Sequence, residues 1–330
     1  MTKTYHLVGI GNAVVDVISQ CEDTFLSEQG IEKGIMQLIE RDRCEELYAA
    51  MGNRVMTPGG SVANTIAGAG ALGLDAAFIG RVRDDTLGKF YADAMNNEGV
   101  AFVNPPVEGE ELPTSRSMIF VSPDGERSLN TYLGTSSELS SADVPEETAS
   151  AAQIMFLEGY LFDRDKGKTA FMEAARICRQ SGGRVGLSIS DPFCVERHRE
   201  DFLNLIGNDL DFVIGNQDEI CALFETDDLE TAMARTAEIC DLMVCTRGGD
   251  GVTVVQDNQR VDVPVETIVP VDATGAGDQF AAGFLFGLAT GRDIEISARM
   301  GCICAGEVIR HIGPRPETNV LALLEDAGLV

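Results

Sequence analysis

The stretch "DATGAGDQFAAGFL", residues 272–285, places two acids around a glycine-rich turn and then becomes apolar. It follows "ETIVPV", a β-branched run typical of a strand, and it continues into "QFAAGFLFGL", which suits a buried helix. The first amides of a helix have no intrahelical acceptor, so those of Ala276, Gly277 and Asp278 are expected to lie free. With the helix dipole, they predict an anion site that needs no lysine.

Asp278 falls in the first turn of this predicted helix, where the dipole favours the ionised carboxylate. An ionised carboxylate beside an anion site is repulsive unless it has a function, such as accepting a proton from an attacking hydroxyl. The alternative is that Asp278 only caps the helix. The turn alone leaves both interpretations open.

The rest of the chain alternates strands and helices. Short apolar runs such as "YHLVGIG", "QIMFLEG" and "DFVIGN" are separated by helical patterns such as "KTAFMEAARICRQSG". This alternation predicts an α/β protein with a mostly parallel sheet covered by helices on both faces. Two regions, at about 12–50 and 100–133, break the pattern with extra strands, including "VAFVN" and the hairpin around "SPDGERS". We expect one domain over residues 1–330, with a small β lid inserted from these two regions.

Composition excludes several classes of function. The 330-residue chain has a net charge of −28, which opposes long-range attraction to nucleic acids or anionic membranes. No apolar run approaches the roughly 20 residues of a membrane span, and the first residues lack a signal-peptide layout. The nine cysteines form no CxxC and fit reduced thiols in the cytoplasm, while the three scattered histidines disfavour a zinc site. A cytoplasmic protein with a small-molecule partner is expected.

Three other stretches resemble nucleotide motifs but fail the test of context. "GAGALG", residues 68–73, follows a helical pattern and not a strand. "GIGNAV" lacks the third glycine, and "DKGKT" lacks the upstream glycine of a P-loop. Close helix packing is the better interpretation of the first, so the turn at residues 272–278 stays the candidate phosphate site.

Several motifs along the chain are similar to those of the PfkB/ribokinase family of carbohydrate and nucleoside kinases. "DATGAGD" resembles its C-terminal signature and "GGSVANTIAGAGALG" its N-terminal one. "GNQDE", "TRGGDG" and "HIGPRPE" resemble further family segments, in the family's order. The resemblance implies a ribokinase-like three-layer α/β sandwich with a β lid, and ATP-dependent phosphorylation of a substrate hydroxyl.

The resemblance also implies roles for individual residues. Asp278 is the expected catalytic base, and Arg127 a lid arginine that reaches the transferred phosphate, with a solvated hairpin arginine as the alternative. Gly275, Ala276 and Gly277 are expected to form the anion hole. The expected nucleotide contacts are Asn216, Thr246, Gly248, Gly251 and Gly277.

Two cations follow from the resemblance as well. Mg²⁺ is expected at Asn216 and Glu219, through water molecules, although "NQDE" also fits a helix N-terminus capped by Asn216. Asp272 and Thr274 lie where family members bind a monovalent cation, chiefly with backbone carbonyls. K⁺ activation is therefore a further expectation.

Substrate choice depends on the N-terminal motifs. Asn12 and Asp16, in "GNAVVD", are spaced as in adenosine kinases, and a carboxylate can accept both hydroxyls of a cis-diol. The other expected substrate contacts are Gly59, Gly60, Ser61 and Asn64, with "GIMQLIE" above the base. Adenosine, phosphorylated on its 5′-hydroxyl in purine salvage, is the first expectation. Gln279 and Asp191 depart from the adenosine kinase pattern.

Two alternatives remain open. A sugar kinase acting on ribose, fructose or a related sugar would use the same fold. A nucleoside-binding regulator without activity would differ in class, but the intact "GAGD" turn disfavours it. Monomer and homodimer are both compatible with the sequence.

Overall fold

The computed structural model describes residues 3–109, 112–257 and 259–330. Its large sheet contains, from one edge to the other, β14 (Gln259–Val263), β13 (Val252–Gln256), β12 (Leu242–Thr246), β11 (Phe212–Asn216), β10 (Arg184–Ser188), β9 (Ala152–Glu158), β1 (Tyr5–Ile10), β5 (Ala76–Ile79) and β6 (Val100–Phe102). In this spatial order, the seven strands from β12 to β6 are parallel to one another. Strands β13 and β14 form an antiparallel hairpin at the edge. The predicted mostly parallel sheet is confirmed.

A second sheet contains β3 (Met36–Leu38), β8 (Arg127–Tyr132), β7 (Ser115–Val121), β2 (Val14–Gln20) and β4 (Val55–Gly59), in that spatial order. Strand β4 lies beyond the predicted lid region 12–50. Its Pro58 weakens the strand signal, and it is tolerated because β4 is an edge strand. Glu110 and Glu111, which fall in the predicted lid region 100–133, lie outside the described residues.

The expectation that "VAFVN" belongs to the lid is wrong. Strand β6 pairs with β5 in the large sheet, in parallel. The helix between the two strands makes them a strand–helix–strand crossover, and such a crossover returns the chain to the same sheet. An apolar run of three residues gives no sign of which sheet it joins.

Helices pack on both faces of the large sheet and, in the case of the first two along the chain, on the small sheet. They are α1 (Asp23–Gln29), α2 (Arg41–Ala50), α3 (Ser61–Ala71), α4 (Thr86–Asn97), α5 (Glu146–Ser150), α6 (Asp165–Gln180), α7 (Pro192–Asn208), α8 (Gln217–Leu223), α9 (Leu229–Ile239), α10 (Ala276–Ala289), α11 (Ile294–Val308) and α12 (Val320–Asp326). Along β1, Leu7 joins the core that contains Ile66 and Phe284, while Val8 joins the core that contains Phe171 and Phe202. Side-chain alternation thus creates two cores and the predicted three layers.

The decoy motifs fall within these helices: "GAGALG" begins inside α3, and "DKGKT" is the first turn of α6. Of the helices in the described ranges, none is long and apolar enough to cross a bilayer.

The carboxyl ends of the parallel strands meet at one edge of the large sheet, the usual place for a ligand in such folds. Asn12 follows β1, while Glu158, Asn216 and Thr246 end their strands. The chain passes from Asn12 directly into β2 of the small sheet, so that sheet is attached at the same edge. This topology brings the N-terminal segments around Asn12 and the start of the helix Ser61–Ala71 close to Asp278, which lies in the C-terminal part of the chain.

Candidate active site

Asp278 lies in the first turn of α10 and is held from α3. The Ser61 hydroxyl donates to its Oδ1 at 2.7 Å, and the Asn64 amide donates to its Oδ2 at 3.0 Å. Loss of hydration raises the pKa of Asp278 to about 6, and the two hydrogen bonds and Arg315 oppose that rise. Since Gly275 is the N-cap and the carboxylate bonds to another helix, Asp278 is not a simple cap. It is ionised at neutral pH.

The turn before Asp278 requires glycine at one position, Gly275. Gly275 has φ +78°, and a Cβ there would lie 2.5 Å from the Cα of Pro314. The expectation that the Ala276 amide lies free is wrong, because it donates to the Ala273 carbonyl at 3.2 Å across this tight turn. Among the described residues, the Gly277 amide has no backbone acceptor, and a Cβ on Gly277 would meet no atom within 4 Å. The amides left free at this turn, among the described residues, are therefore those of Gly277 and Asp278.

Asp16 is a nearly buried carboxylate without a hydrogen-bond donor in the part of the chain that the structure describes. Its neighbours Val15 and Val17 enter the core, so alternation along β2 turns Asp16 to the opposite face. Gly59 permits its close approach, since a Cβ there would lie 2.3 Å from Asp16 Oδ2. Burial raises the pKa of Asp16 to about 7; Arg127 and Arg315 oppose this rise, and Asp278 adds to it. Asp16 and Asp278 are therefore close enough for their charges to interact.

Asn12 is fixed by Glu158, which the sequence analysis missed. The backbone and side-chain amides of Asn12 donate to Glu158 Oε1 at 3.0 and 2.8 Å, and the Val62 amide donates to Oε2 at 3.1 Å. Ser136 donates to Asn12 Oδ1 at 2.9 Å. Burial raises the pKa of Glu158 to about 7, although these backbone bonds oppose the rise. The available signal was an acid at the end of the apolar run "QIMFLE".

Gly59 and Gly60 are required because a larger residue at either position would clash with a neighbouring segment. Gly60 has φ +99°, and a Cβ there would lie 2.3 Å from the Asn12 carbonyl oxygen. Together with the contact of Gly59 to Asp16, this lets both N-terminal candidates pack directly against the start of α3. Four of the expected substrate residues, Asn12, Asp16, Ser61 and Asn64, are thus placed around Asp278.

Arg127 forms an ion pair with Asp272, and both side chains are buried. The alternative of a solvated hairpin arginine is therefore wrong. Asp272 also accepts from the amides of Thr274 at 3.0 Å and Gly313 at 2.9 Å. Three donors therefore hold the Asp272 carboxylate in place.

Asn216 and Glu219 form a capping box at the start of α8. Asn216 Oδ1 accepts from the Glu219 amide at 2.9 Å, and Glu219 accepts from both amides of Asn216. Burial raises the pKa of Glu219 to about 7; the Asn216 backbone bond opposes the rise, and Asp191 and Asp278 are among the charges that add to it. The capping alternative is confirmed, and it does not exclude a cation held through water.

A cavity of about 970 Å³ lies beside the N-terminus of α10. Its lining includes the predicted residues Thr246, Gly248, Gly251 and Gly277, whereas Asn216 is not among them. Apolar side chains dominate the rest, among them Val252, Val263, Ile268, Phe280, Ile303 and Leu323. A cavity of this size and character suits a nucleotide base and ribose.

The buried carboxylate of Asp16 predicts a pH-dependent stability. In the unfolded chain it ionises near pH 4, and in the folded chain near pH 7, so the folded state binds more protons between these values. Stability should therefore fall as pH rises through this window. Asp16→Asn removes this cost, and its Tm should exceed that of the wild type at pH 8 by about 2–4 °C more than at pH 5.

Differential scanning fluorimetry of the free enzyme at both pH values measures this difference. Asp201→Asn, on the exposed face of α7, is the matched control with the same charge change. An equal Tm difference for Asp16→Asn at pH 5 and pH 8 would contradict the assignment.

Comparisons with known proteins identify the family of this chain. The model of the "pfkB family carbohydrate kinase" family matches residues 34–319. An uncharacterized sugar kinase from Archaeoglobus fulgidus is 30% identical over 75% of this chain and 96% of its own length. A fructokinase from Klebsiella pneumoniae is 26% identical over 72% of this chain and 79% of its own.

Two solved structures cover nearly the whole chain. A probable sugar kinase from Rhizobium etli is 41% identical, with a TM-score of 0.94 over 100% of both chains. An adenosine kinase from Sinorhizobium meliloti is 44% identical, with a TM-score of 0.93 over 98% of this chain and 99% of that one. With a family match over most of its length, the chain belongs to the pfkB family of carbohydrate kinases, enzymes that phosphorylate a hydroxyl group using ATP.

Proposed function

We propose that this kinase phosphorylates the 5′-hydroxyl of adenosine or a related nucleoside. The observation that supports this most strongly is Asp16, a nearly buried carboxylate for which no protein donor occurs among the described residues. It couples electrostatically to Asp278, so a ligand bound between them can reach both. The 2′- and 3′-hydroxyls of a ribose are the donors that such a carboxylate lacks. Similarity to the Sinorhizobium meliloti adenosine kinase supports the same choice.

Asp278 is the proposed general base. Its pKa of about 6 leaves it ionised at neutral pH yet basic enough to take the proton of the 5′-hydroxyl as that oxygen attacks the γ-phosphorus. The bond from the γ-phosphorus to the β-phosphate oxygen breaks, and ADP leaves. Ser61 and Asn64 fix both carboxylate oxygens, so the base is already oriented when the hydroxyl arrives.

The nucleotide is proposed to occupy the cavity beside α10, with its phosphates toward Gly277. The free amides and helix dipole at this end are suited to the charge on the transferred group. Arg127 is a further proposed phosphate ligand, because its Nε and Nη1 have no hydrogen-bond partner within the described ranges. We also propose that the five-stranded sheet, which contains Arg127, acts as the lid.

The residues present fit the two expected cations to different degrees. Groups of three acidic, histidine or cysteine side chains suited to a metal do not occur within residues 3–109, 112–257 and 259–330. This agrees with Mg²⁺ held through water at Glu219 and Asn216, where it would neutralise phosphate charge. K⁺ remains a proposal for the carbonyls of Asp272 and Thr274, tested by comparing rates in K⁺ and in a large organic cation.

Gly277→Ala tests the proposed phosphate position. A Cβ at Gly277 meets no protein atom, and alanine favours the helix more than glycine, so stability should be kept or slightly raised. The methyl group would occupy the proposed phosphate space, and kcat should fall by about tenfold or more. Steady-state kinetics with varied ATP and a thermal melt measure both effects. Unchanged kinetics would exclude close phosphate contact at Gly277.

A panel of nucleosides and sugars, assayed for ADP release, tests the substrate. We expect adenosine to give the highest kcat/KM. The sugar kinase alternative is supported by the relatives named sugar kinase and fructokinase. Turnover with ribose or fructose and none with nucleosides would select that alternative.

A further inference from the structure

Arg315, in the segment between α11 and α12, contacts the proposed reaction centre through a residue distant in sequence. Its Nε donates to Asn64 Oδ1 at 3.2 Å, and Asn64 Nδ2 donates to Asp278 Oδ2 at 3.0 Å. A guanidinium can only donate, so Arg315 is compatible with one orientation of the Asn64 amide, the one that turns its NH₂ toward Asp278. In the reverse orientation two oxygens would face each other.

The backbone around Arg315 is fixed to the catalytic turn. The Gly313 amide donates to Asp272 Oδ2 at 2.9 Å, and Gln279 Nε2 donates to the Pro314 carbonyl at 3.0 Å. Gln279 is only 1% exposed and directly follows Asp278 in α10. Movement of this segment would therefore disturb the turn itself.

The outer end of the segment and of the guanidinium is also held. Glu307, 5% exposed, accepts from the amides of Glu317 at 3.1 Å and Thr318 at 2.9 Å. The Arg315 guanidinium pairs with Glu98, and its side chain is 13% exposed. The Arg315 guanidinium, mostly buried and in contact with both Asn64 and Glu98, therefore has a fixed orientation.

The charges that face Asp278 come from several elements. Asp16 on β2, Glu158 at the end of β9 and Glu219 on α8 are all carboxylates whose charges interact with that of Asp278. Arg315 is the cation that favours the ionised form of Asp278. Arg127 also faces the site, where it acts on Asp16. Removal of Arg315 would leave the proposed base mainly among like charges.

We propose that Arg315 is a positioning residue for phosphoryl transfer: acting through Asn64, it fixes the carboxylate of Asp278 and balances its negative charge. The proposal rests on the proposed role of Asp278 as the base. It does not depend on the identity of the acceptor, so the assay uses whichever acceptor the wild-type enzyme phosphorylates fastest.

The test compares Arg315→Met and Arg315→Lys in kcat–pH profiles at saturating acceptor and ATP. Removing the cation should move the acidic limb of the Met variant upward by about one pH unit from about 6, so its rate at pH 6 falls about fivefold further than its rate at pH 8. Lysine keeps the charge but not the planar fork, so its limb should stay in place while kcat falls at every pH. Arg292→Met, an exposed arginine at the far end of α10, is the charge-matched control.

A wild-type acidic limb and kcat in Arg315→Met would overturn the proposal. An equal shift of the limb in the Met and Lys variants would also overturn it, because the charge could not be the reason. Should the Met variant fail to fold, Arg315→Gln supplies the neutral side chain. Activity of Asp278→Asn, measured separately, reports on the base itself.

Discussion

Replacing Asp278 with asparagine is expected to lower kcat by about 10³-fold, with little change in the affinity for ATP. The substitution keeps the size of the side chain but removes the proton acceptor. It also replaces one carboxylate oxygen with an NH₂ group, which accepts no hydrogen bond, so the donors Ser61 and Asn64 cannot both keep their own acceptor oxygen. Because Asp278 is not among the residues that line the proposed nucleotide cavity, ATP binding should persist.

Steady-state kinetics with a titration of ATP binding by calorimetry measures both parts of this expectation. Asp201→Asn, whose partner Lys168 lies on the exposed face of α6, removes a carboxylate without touching the site and should behave as wild type. If Asp278→Asn retained a kcat within tenfold of the wild type, Asp278 would not be the base. If it lost ATP binding as well, the substitution would have damaged the turn rather than the chemistry.

The sequence predicted those parts of the site that depend on local pattern. The turn and helix around Asp278, the glycines expected to contact the nucleotide and the capping box at Asn216 each lie within a few residues of one another. The expectation of a strand in "ETIVPV" is wrong, because β14 ends at Val263 and residues 264–271 form no strand. Pro264 and Pro270 lack the backbone amide that a strand ladder needs. The large sheet followed from the alternation of apolar runs with helical patterns. Such features depend on short-range geometry, and one sequence is sufficient to identify them.

The parts that were missed depend on contacts between distant segments. Glu158 meets Asn12 across 146 positions, Arg127 meets Asp272 across 145, and Arg315 meets Asn64 across 251. No periodicity links such pairs, because the topology of the sheet decides which ends become neighbours. The same reason explains why β6 was expected in the lid.

Acidic side chains at the surface and in the site differ in their hydration. Exposed acids are hydrated, whereas burial raises the pKa values of Asp16, Glu158 and Glu219 to about 7. A site with this many carboxylates favours ligands that donate hydrogen bonds or bring cations with them. A polyhydroxylated acceptor with a metal-bound nucleotide meets both conditions.

Asp16→Asn should therefore lower kcat/KM for adenosine by at least about 100-fold, while it raises the stability of the free enzyme. A hydrogen bond to a charged group contributes about 1.5–3 kcal/mol, and the proposed diol donates two to Asp16.

The control is the acceptor 2′,3′-dideoxyadenosine, which lacks both hydroxyls. The wild type should use it poorly, and Asp16→Asn should reduce kcat/KM for it by less than about threefold, since the interaction is already absent. Kinetics of both enzymes with both acceptors completes this cycle. An equal loss for the two acceptors would show that Asp16 does not bind the diol, and its unpaired, buried carboxylate would then need another partner.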